Sequence, residues 1–267
     1  MTYATDFTLA ELLVVACAEA YRDSEEWLVT GIGPLPRLAA GLAKLTFAPQ
    51  IMMTDGECML VEEPIPLGPR GDYQPKFSGW MPYHRVFDTV WSGKRHAMVT
   101  PVQVDRYAQG NIAALGGDFK KPKVQLLGVR GFPGNSLCHR NSMFIPSHTK
   151  RTFIEGEVDV VASIGFNEKR WPEGTTITKP DIGIVVTNLC VMDFNGPNNA
   201  ARVISLHPGV TFEEVQAETG FPLIAIDNMP TTKAPTEEQL EIINKLDPHN
   251  IRATILKGNP PGVRQQG

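Results

Sequence analysis

Two short segments carry residue types that could do chemistry. Thr54-Asp55-Gly56-Glu57 sets two carboxylates two residues apart, directly after the apolar run 51–53. A carboxylate at the end of a strand is where open α/β sheets place acid, base or nucleophile groups. The same residues also suit a plain turn, with Asp55 capping it and Glu57 in solvent, and the pattern alone weighs the two readings evenly. The second segment, Gly128-Val129-Arg130-Gly131-Phe132-Pro133-Gly134-Asn135, follows another apolar run. Its glycines leave backbone N–H groups open to hold a developing oxyanion, and Arg130 adds a fixed cation suited to a substrate carboxylate. The bland alternative is a loop with a solvated arginine.

Other candidates are weaker. Lys120, Lys121 and Lys123 lie in a Lys-Lys-Pro-Lys run that could meet the phosphates of a nucleotide-bearing ligand, although such a run is more often a solvated face. Gly31-Ile32-Gly33-Pro34-Leu35-Pro36 stands where a dinucleotide fingerprint would, but Pro36 occupies the third glycine position. His139 neighbours Cys138 in sequence, which in a strand puts the two on opposite faces, and His207 belongs to a turn. No G-x-S-x-G elbow occurs. Cys17, Cys58, Cys138 and Cys190 are far apart and form no C-x-x-C pair, so neither a zinc site nor a disulfide framework is expected.

The elements that must position these residues are readable from spacing. Thr8-Leu9-Ala10-Glu11 is a capping box that opens a helix running to Tyr21. A buried strand at 27–30, a helix at 35–45 and a strand at 51–54 make a β-α-β unit. Apolar runs at 97–100, 124–129, 158–163, 183–187 and 202–206 predict further strands buried on both faces, hence an α/β protein with a mostly parallel central sheet flanked by helices. Capping boxes at Thr211 and Thr236 start two late helices, the first stopping at Gly220. Loops 61–77 and 116–122 are rich in Pro and Gly. Residues 1–257 read as a single domain and 258–267 as a flexible tail.

Composition excludes several classes. The 267 residues are 42% hydrophobic and 20% charged, with a net charge of -4, which gives no field for nucleic acid or an anionic membrane. The early apolar stretch 9–20 is interrupted by Glu11 and Glu19, too short and too charged to span a bilayer. A cytoplasmic protein is expected.

Taken in order, Gln103-Val104-Asp105-Arg106-Tyr107 with Gly110-Asn111-Ile112, the lysine run leading to Gly128, and 205–215 continuing to Thr219-Gly220-Phe221 resemble the β subunits of class I CoA-transferases, the glutaconate CoA-transferase group in particular. The resemblance covers nearly the whole chain. It implies a CoA-transferase-like fold, an α subunit as partner in an α2β2 heterotetramer, an acyl-CoA substrate, and no cofactor beyond the coenzyme A that the substrate carries. In that family a glutamate in a Ser-Glu-Asn-Gly motif attacks the thioester, and a Gly-x-Gly-Gly-Phe loop holds the oxyanion. Here Asp55 stands at the nucleophile position with Glu57 displaced by two residues, and Arg130 replaces a glycine in Gly128-Val129-Arg130-Gly131-Phe132. Aspartate is one methylene shorter, and a misplacement of about 1 Å costs on the order of a hundredfold where attack geometry is critical. The departures resemble the steroid ring-opening branch of the family, which implies C–C hydrolysis of a cyclic acyl-CoA. That substrate also carries a free propionate, which Arg130 would meet. The principal base would then come from the α subunit, with Asp55 and Glu57 in secondary roles; the alternative is a conventional transferase using one of those two carboxylates.

Overall fold

The protein is described from a computed structural model covering residues 2–118, 120–175 and 180–264. It divides into two compact units, residues 1–99 with 232–267, and residues 100–231.

In the first unit, helix α1 (Leu9–Glu19) begins at the expected capping box: Thr8 Oγ1 accepts from the Glu11 amide, and the Glu11 carboxylate accepts from the Thr8 amide at 2.7 Å. Nine of its eleven residues are buried, so it is an interior helix rather than a surface one. Strand β1 (Leu28–Gly31) turns through Gly33, at φ 106°, into α2 (Pro34–Leu45). A Cβ on Gly31 would lie 2.3 Å from the Pro36 carbonyl oxygen, so the Gly-x-Gly pair is explained by the turn itself. The next segment departs from the β-α-β expectation. Met52 touches Leu28 by one parallel bridge, but β2 (Met53–Thr54) joins β3 (Met59–Val61) and β4 (Phe77–Trp80) in a separate antiparallel sheet. Helix α3 (Arg85–Trp91) leads into β5 (Arg95–Val99), which pairs parallel with β1 from Leu28/Arg95 to Gly31/Met98.

The C-terminal helix Glu237–Leu246, opened by the Thr236 capping box, packs its Leu246 against Gly41 of α2. Behind it, Arg252 is buried between Glu11 (2.9 Å) and Asp247 (3.0 Å). In the segment read as a tail, Pro260 accepts from the Leu9 amide and Gly262 donates to the Phe7 carbonyl, each at 2.8 Å.

The second unit starts with two hairpins, β6 (Gln103–Val104) with β7 (Gly110–Asn111), and β8 (Ala114–Asp118) with β9 (Lys121–Gln125). After α4 (Phe132–Cys138) come β10 (Arg140–Ile145), β11 (Ile182–Thr187), β12 (Cys190–Asp193), β13 (Arg202–Leu206), α5 (Phe212–Ala217) and β14 (Ile224–Ala225). β10/β11 and β13/β14 are parallel, while β12 is antiparallel to both neighbours. Leaving aside the hairpins and the β2–β4 sheet, the parallel pairs β1/β5, β10/β11 and β13/β14 outnumber the antiparallel β11/β12 and β12/β13 among the described residues, in line with the expected α/β class.

Two expected strands are corrected. The run 124–129 is not a buried strand: β9 ends at Gln125 in an exposed hairpin, and Leu127 is 78% exposed. Residues 158–163 form no ladder beyond one antiparallel bridge between Ser163 and Gly110: the Val158 and Asp159 amides go to the side chains of Asp105 (Oδ2) and Gln103 (Oε1), and those of Ala162 and Ser163 both go to the Gly110 carbonyl. Strand β10 was not expected, since buried Asn141 and Ser142 interrupt its apolar pattern.

One glycine gives a test of the packing. A Cβ on Gly220 would sit 2.3 to 2.7 Å from the backbone of residues 153–155, which cannot yield as a flexible side chain would. Gly220→Ala is expected to lower stability by about 1–3 kcal/mol, read as a drop in urea midpoint at unchanged slope. Among the described residues no helix is long and apolar enough to cross a membrane.

Candidate active site

The turn after β2 is built by its own side chains. Thr54 Oγ1 accepts from the Gly56 amide (3.2 Å), and Asp55 Oδ1 accepts from the amides of Glu57 (2.9 Å) and Met59 (3.2 Å). Gly56 supplies the φ of 102° that closes it. The Arg37 guanidinium approaches the Asp55 carbonyl at 3.5 Å. Asp55 is therefore the residue that shapes the turn, and Glu57 is the one whose carboxylate stays exposed.

Glu57 lines a cavity of about 370 Å³ together with Thr30, Thr54, Cys58, Tyr83 and Arg95. Arg95, at the head of β5, was not among the residues singled out in the sequence. Its Nε donates to Thr30 Oγ1 at 3.3 Å, it forms no ion pair among the described residues, and burial pushes its guanidinium below the ordinary arginine value. The available signal was a cation opening a strand whose next four residues are all buried.

Beside this cavity lies an unusual run of exposed aromatics. Trp80, Tyr83 and Trp91 are 68%, 72% and 68% exposed, and Phe77 and Phe87 are also exposed. Tyr83 and Phe87 meet edge to face at 6.0 Å, and α3 buries only Val90. A cluster of large aromatics in solvent marks an interaction surface.

In the second unit, residues 128–131 form the loop into α4. Gly128 has φ 83° and Arg130 has φ 50°, a left-handed conformation that a non-glycine residue adopts at a cost. The amides of Gly128, Val129, Arg130 and Gly131 donate to no acceptor among the described residues. Phe132 is buried against Gly110 and fixes the loop's far end, and buried Asn135 closes the first helical turn by donating its amide to the Gly131 carbonyl at 3.0 Å. Arg130 itself is exposed. Lys120, Lys121 and Lys123 lie on the β8–β9 hairpin, all three exposed. Asp55 and Glu57 thus belong to one unit, and the Gly128–Asn135 loop and the lysines to the other.

The Gln103–Asn111 segment is structural. Asp105, fully buried, accepts from the amides of Tyr107 (2.9 Å), Gln109 (3.1 Å) and Val158 (3.3 Å), while Asn111 bridges Gln103 and Ala114. Burial pushes the Asp105 carboxyl up to about 6 against the pull of those amides. A raised acid binds its proton more tightly in the folded chain, so its contribution to stability is present at low pH and falls as pH rises through about 4 to 6. The full swing is about 3 kcal/mol, taking 1.36 kcal/mol per pH unit. Asp105→Asn is expected to flatten that part of the pH–stability curve, measured by denaturant melts between pH 4 and 7.

Beside it, a cavity of about 730 Å³ is rimmed by Arg106, Tyr107, Glu157, Lys169 and Arg170; the Arg106 guanidinium lies 4.6 Å over the Tyr107 ring, and Arg170 pairs with Glu157. No group of three His, Cys, Asp or Glu side chains among the described residues is placed to hold a metal.

No protein-family model matches the chain. It is 41% identical over 246 residues to the cholesterol ring-cleaving hydrolase IpdB subunit of Mycobacterium tuberculosis, spanning 92% of this chain and 97% of that one. The crystal structure of Rhodococcus jostii RHA1 IpdAB superposes with a TM-score of 0.86 and 35% identity, covering 94% of this chain and 99% of that one. The glutaconate coenzyme A-transferase of Acidaminococcus fermentans superposes with a TM-score of 0.78 at 22% identity, over 93% and 98% of the two chains. The fold is therefore that of the CoA-transferases. Within it, the chain belongs to the family of IpdB ring-cleaving hydrolase subunits.

Proposed function

We propose that the chain is the β subunit of a cytoplasmic hydrolase that opens the last ring of a cyclic acyl-CoA by C–C bond hydrolysis in steroid breakdown. The observation that carries this is 41% identity maintained over 97% of the M. tuberculosis ring-cleaving subunit. The α subunit is the partner, as in the two-component IpdAB assembly, in an α2β2 complex, and the exposed aromatics of β4 and α3 are apolar surface of the kind such a partner covers.

In the reaction, water adds to a ring carbonyl, and the bond from that carbon to its α-carbon breaks. The electron pair passes into an enolate, which is then protonated at carbon, and the water oxygen ends in a new carboxylate. The amides of residues 128–131 suit the developing oxyanion, and Arg130 beside them adds positive charge where negative charge grows. Glu57 is a second-tier acid or base, the principal base coming from the α subunit. Asp55, whose Oδ1 is held by two amides, is poorly disposed to attack a thioester. Lys120, Lys121 and Lys123 would meet the phosphates of coenzyme A, and no other cofactor is required.

A conventional CoA-transferase remains the second reading, because Glu57 is an exposed carboxylate lining a cavity. Turnover by the α/β complex in oxygen-18 water, followed by borohydride trapping and intact-mass analysis, separates the two. Heavy oxygen in a ring-opened product with no adduct on this chain is expected. An adduct at Glu57 or Asp55 sinks the hydrolase in favour of CoA transfer.

A further inference from the structure

We propose that Arg95 is the anchor for a carboxylate on an apolar acyl group that occupies the cavity beside Glu57. The inference rests on the acyl-CoA reading above and names the part of the substrate this cavity would hold.

Three observations converge. The cavity, about 370 Å³, is within the range of small-ligand sites, roughly 300–1,000 Å³. Its lining is mixed: Leu28, Met81, Tyr83 and Val86 are apolar, Thr30 bonded to Arg95 is polar, and Thr54, Cys58 and the exposed Glu57 carboxylate complete it. The Arg95 guanidinium is half-buried and forms no ion pair among the described residues; its Nε donates to Thr30 Oγ1, and neither terminal nitrogen meets an acceptor among those residues. A charge removed from water without a counter-ion is costly, and a protein keeps one where a ligand completes it. A planar guanidinium with two free terminal nitrogens matches a carboxylate, two N–H donors to two oxygens. The apolar walls then select a carboxylate joined to hydrocarbon rather than a hydrated phosphate.

The placement also divides labour between two arginines. Arg130 is exposed, where solvent screens it, and stands beside uncommitted amides. Arg95 is half-buried in a cavity, where a fixed carboxylate gains more from the pairing than at the exposed Arg130. The free carboxylate of the substrate is accordingly assigned to Arg95 rather than to Arg130.

The test uses the complex of the full chain with its α subunit, and 3-cyclohexylpropanoate and its amide as probes, titrated by ligand-observed NMR. The acid is expected to bind at least about tenfold more tightly than the amide. Arg95→Gln should erase that preference, Arg95→Lys should restore part of it, and Arg130→Gln should leave it in place. In the unsubstituted complex the acid should protect Arg95 from phenylglyoxal, read by peptide mass mapping, so the outcome does not depend on the variants folding. The proposal is overturned if neither probe binds, if acid and amide bind alike, if the preference survives Arg95→Gln, or if Arg95 is labelled equally with and without the acid. Displacement of the acid by adenosine 3′,5′-bisphosphate would also overturn it, by giving the cavity to the coenzyme's head instead. None of these readouts uses ring-opening activity, so failure of the hydrolase reading would appear separately, as absence of heavy oxygen in the product.

Discussion

Arg252→Met is expected to lower stability by about 3–5 kcal/mol, the usual cost of removing one partner of a buried ion pair. The side chain is 7% exposed and donates to Glu11, Asp247 and Asn244, tying α1 to the C-terminal helix and the turn behind it. Asp247, whose side chain is fully buried, would keep its two backbone donors but lose its cation. Methionine fills much of the volume, so the loss reports charge rather than a cavity. The pH dependence is a second check. Burial works against the charged form of Glu11, but hydrogen bonds from Thr8 and Arg252 hold its carboxyl below the ordinary 4.5. A lowered acid contributes stability above its unfolded value that is lost as pH falls through the folded one. The gap between native chain and variant should therefore narrow below about pH 4.5. Equal stability at pH 7 in urea melts would show that the cluster contributes nothing.

The second large effect is on turnover. Arg130→Gly in the α/β complex is expected to cut kcat about a hundredfold, the scale on which one oxyanion partner matters, with KM changed little. The same change should stabilise the loop, since glycine relieves a left-handed residue of roughly 1–2 kcal/mol. A variant more stable yet slower is hard to obtain by damaging the fold. If kcat is unchanged, or if the loss falls in KM, Arg130 has no part in the oxyanion site.

Much of this was visible before the structure. The Thr8 and Thr236 capping boxes, the two interior helices and the strands at β1, β5, β11 and β13 rest on local signals, periodicity and cap chemistry, which survive tertiary context. Local signals also misled. Val124, Leu127 and Val129 are apolar as a core strand would be, yet all three are exposed, and a sequence does not say whether an apolar residue faces its own core or a partner. β10 stayed hidden for the opposite reason, because its buried Asn141 donates its amide to carbonyls that a pattern cannot show. At the site, the sequence drew attention to the right turn but left Asp55 and Glu57 level; two amide contacts separate them. Arg95 was overlooked because a lone arginine at a strand head has no motif, only a place.

The way the chain visits its two units bears on the order in which it becomes folded during synthesis. Residues 100–231 are contiguous and have their partners as soon as they leave the ribosome. The first unit does not: Gly41 waits for Leu246, Glu11 for Arg252, and Phe7 for Gly262. Residues near the start are thus among the last to be satisfied: α1 packs on α2 as soon as both are made, but the part of it that meets the C-terminal helix and Arg252 stays uncovered until those residues follow. Nascent chains halted before residue 232 should be open to protease and chaperones in their first 99 residues, where the C-terminal partners are missing, while their 100–231 segment already resists protease.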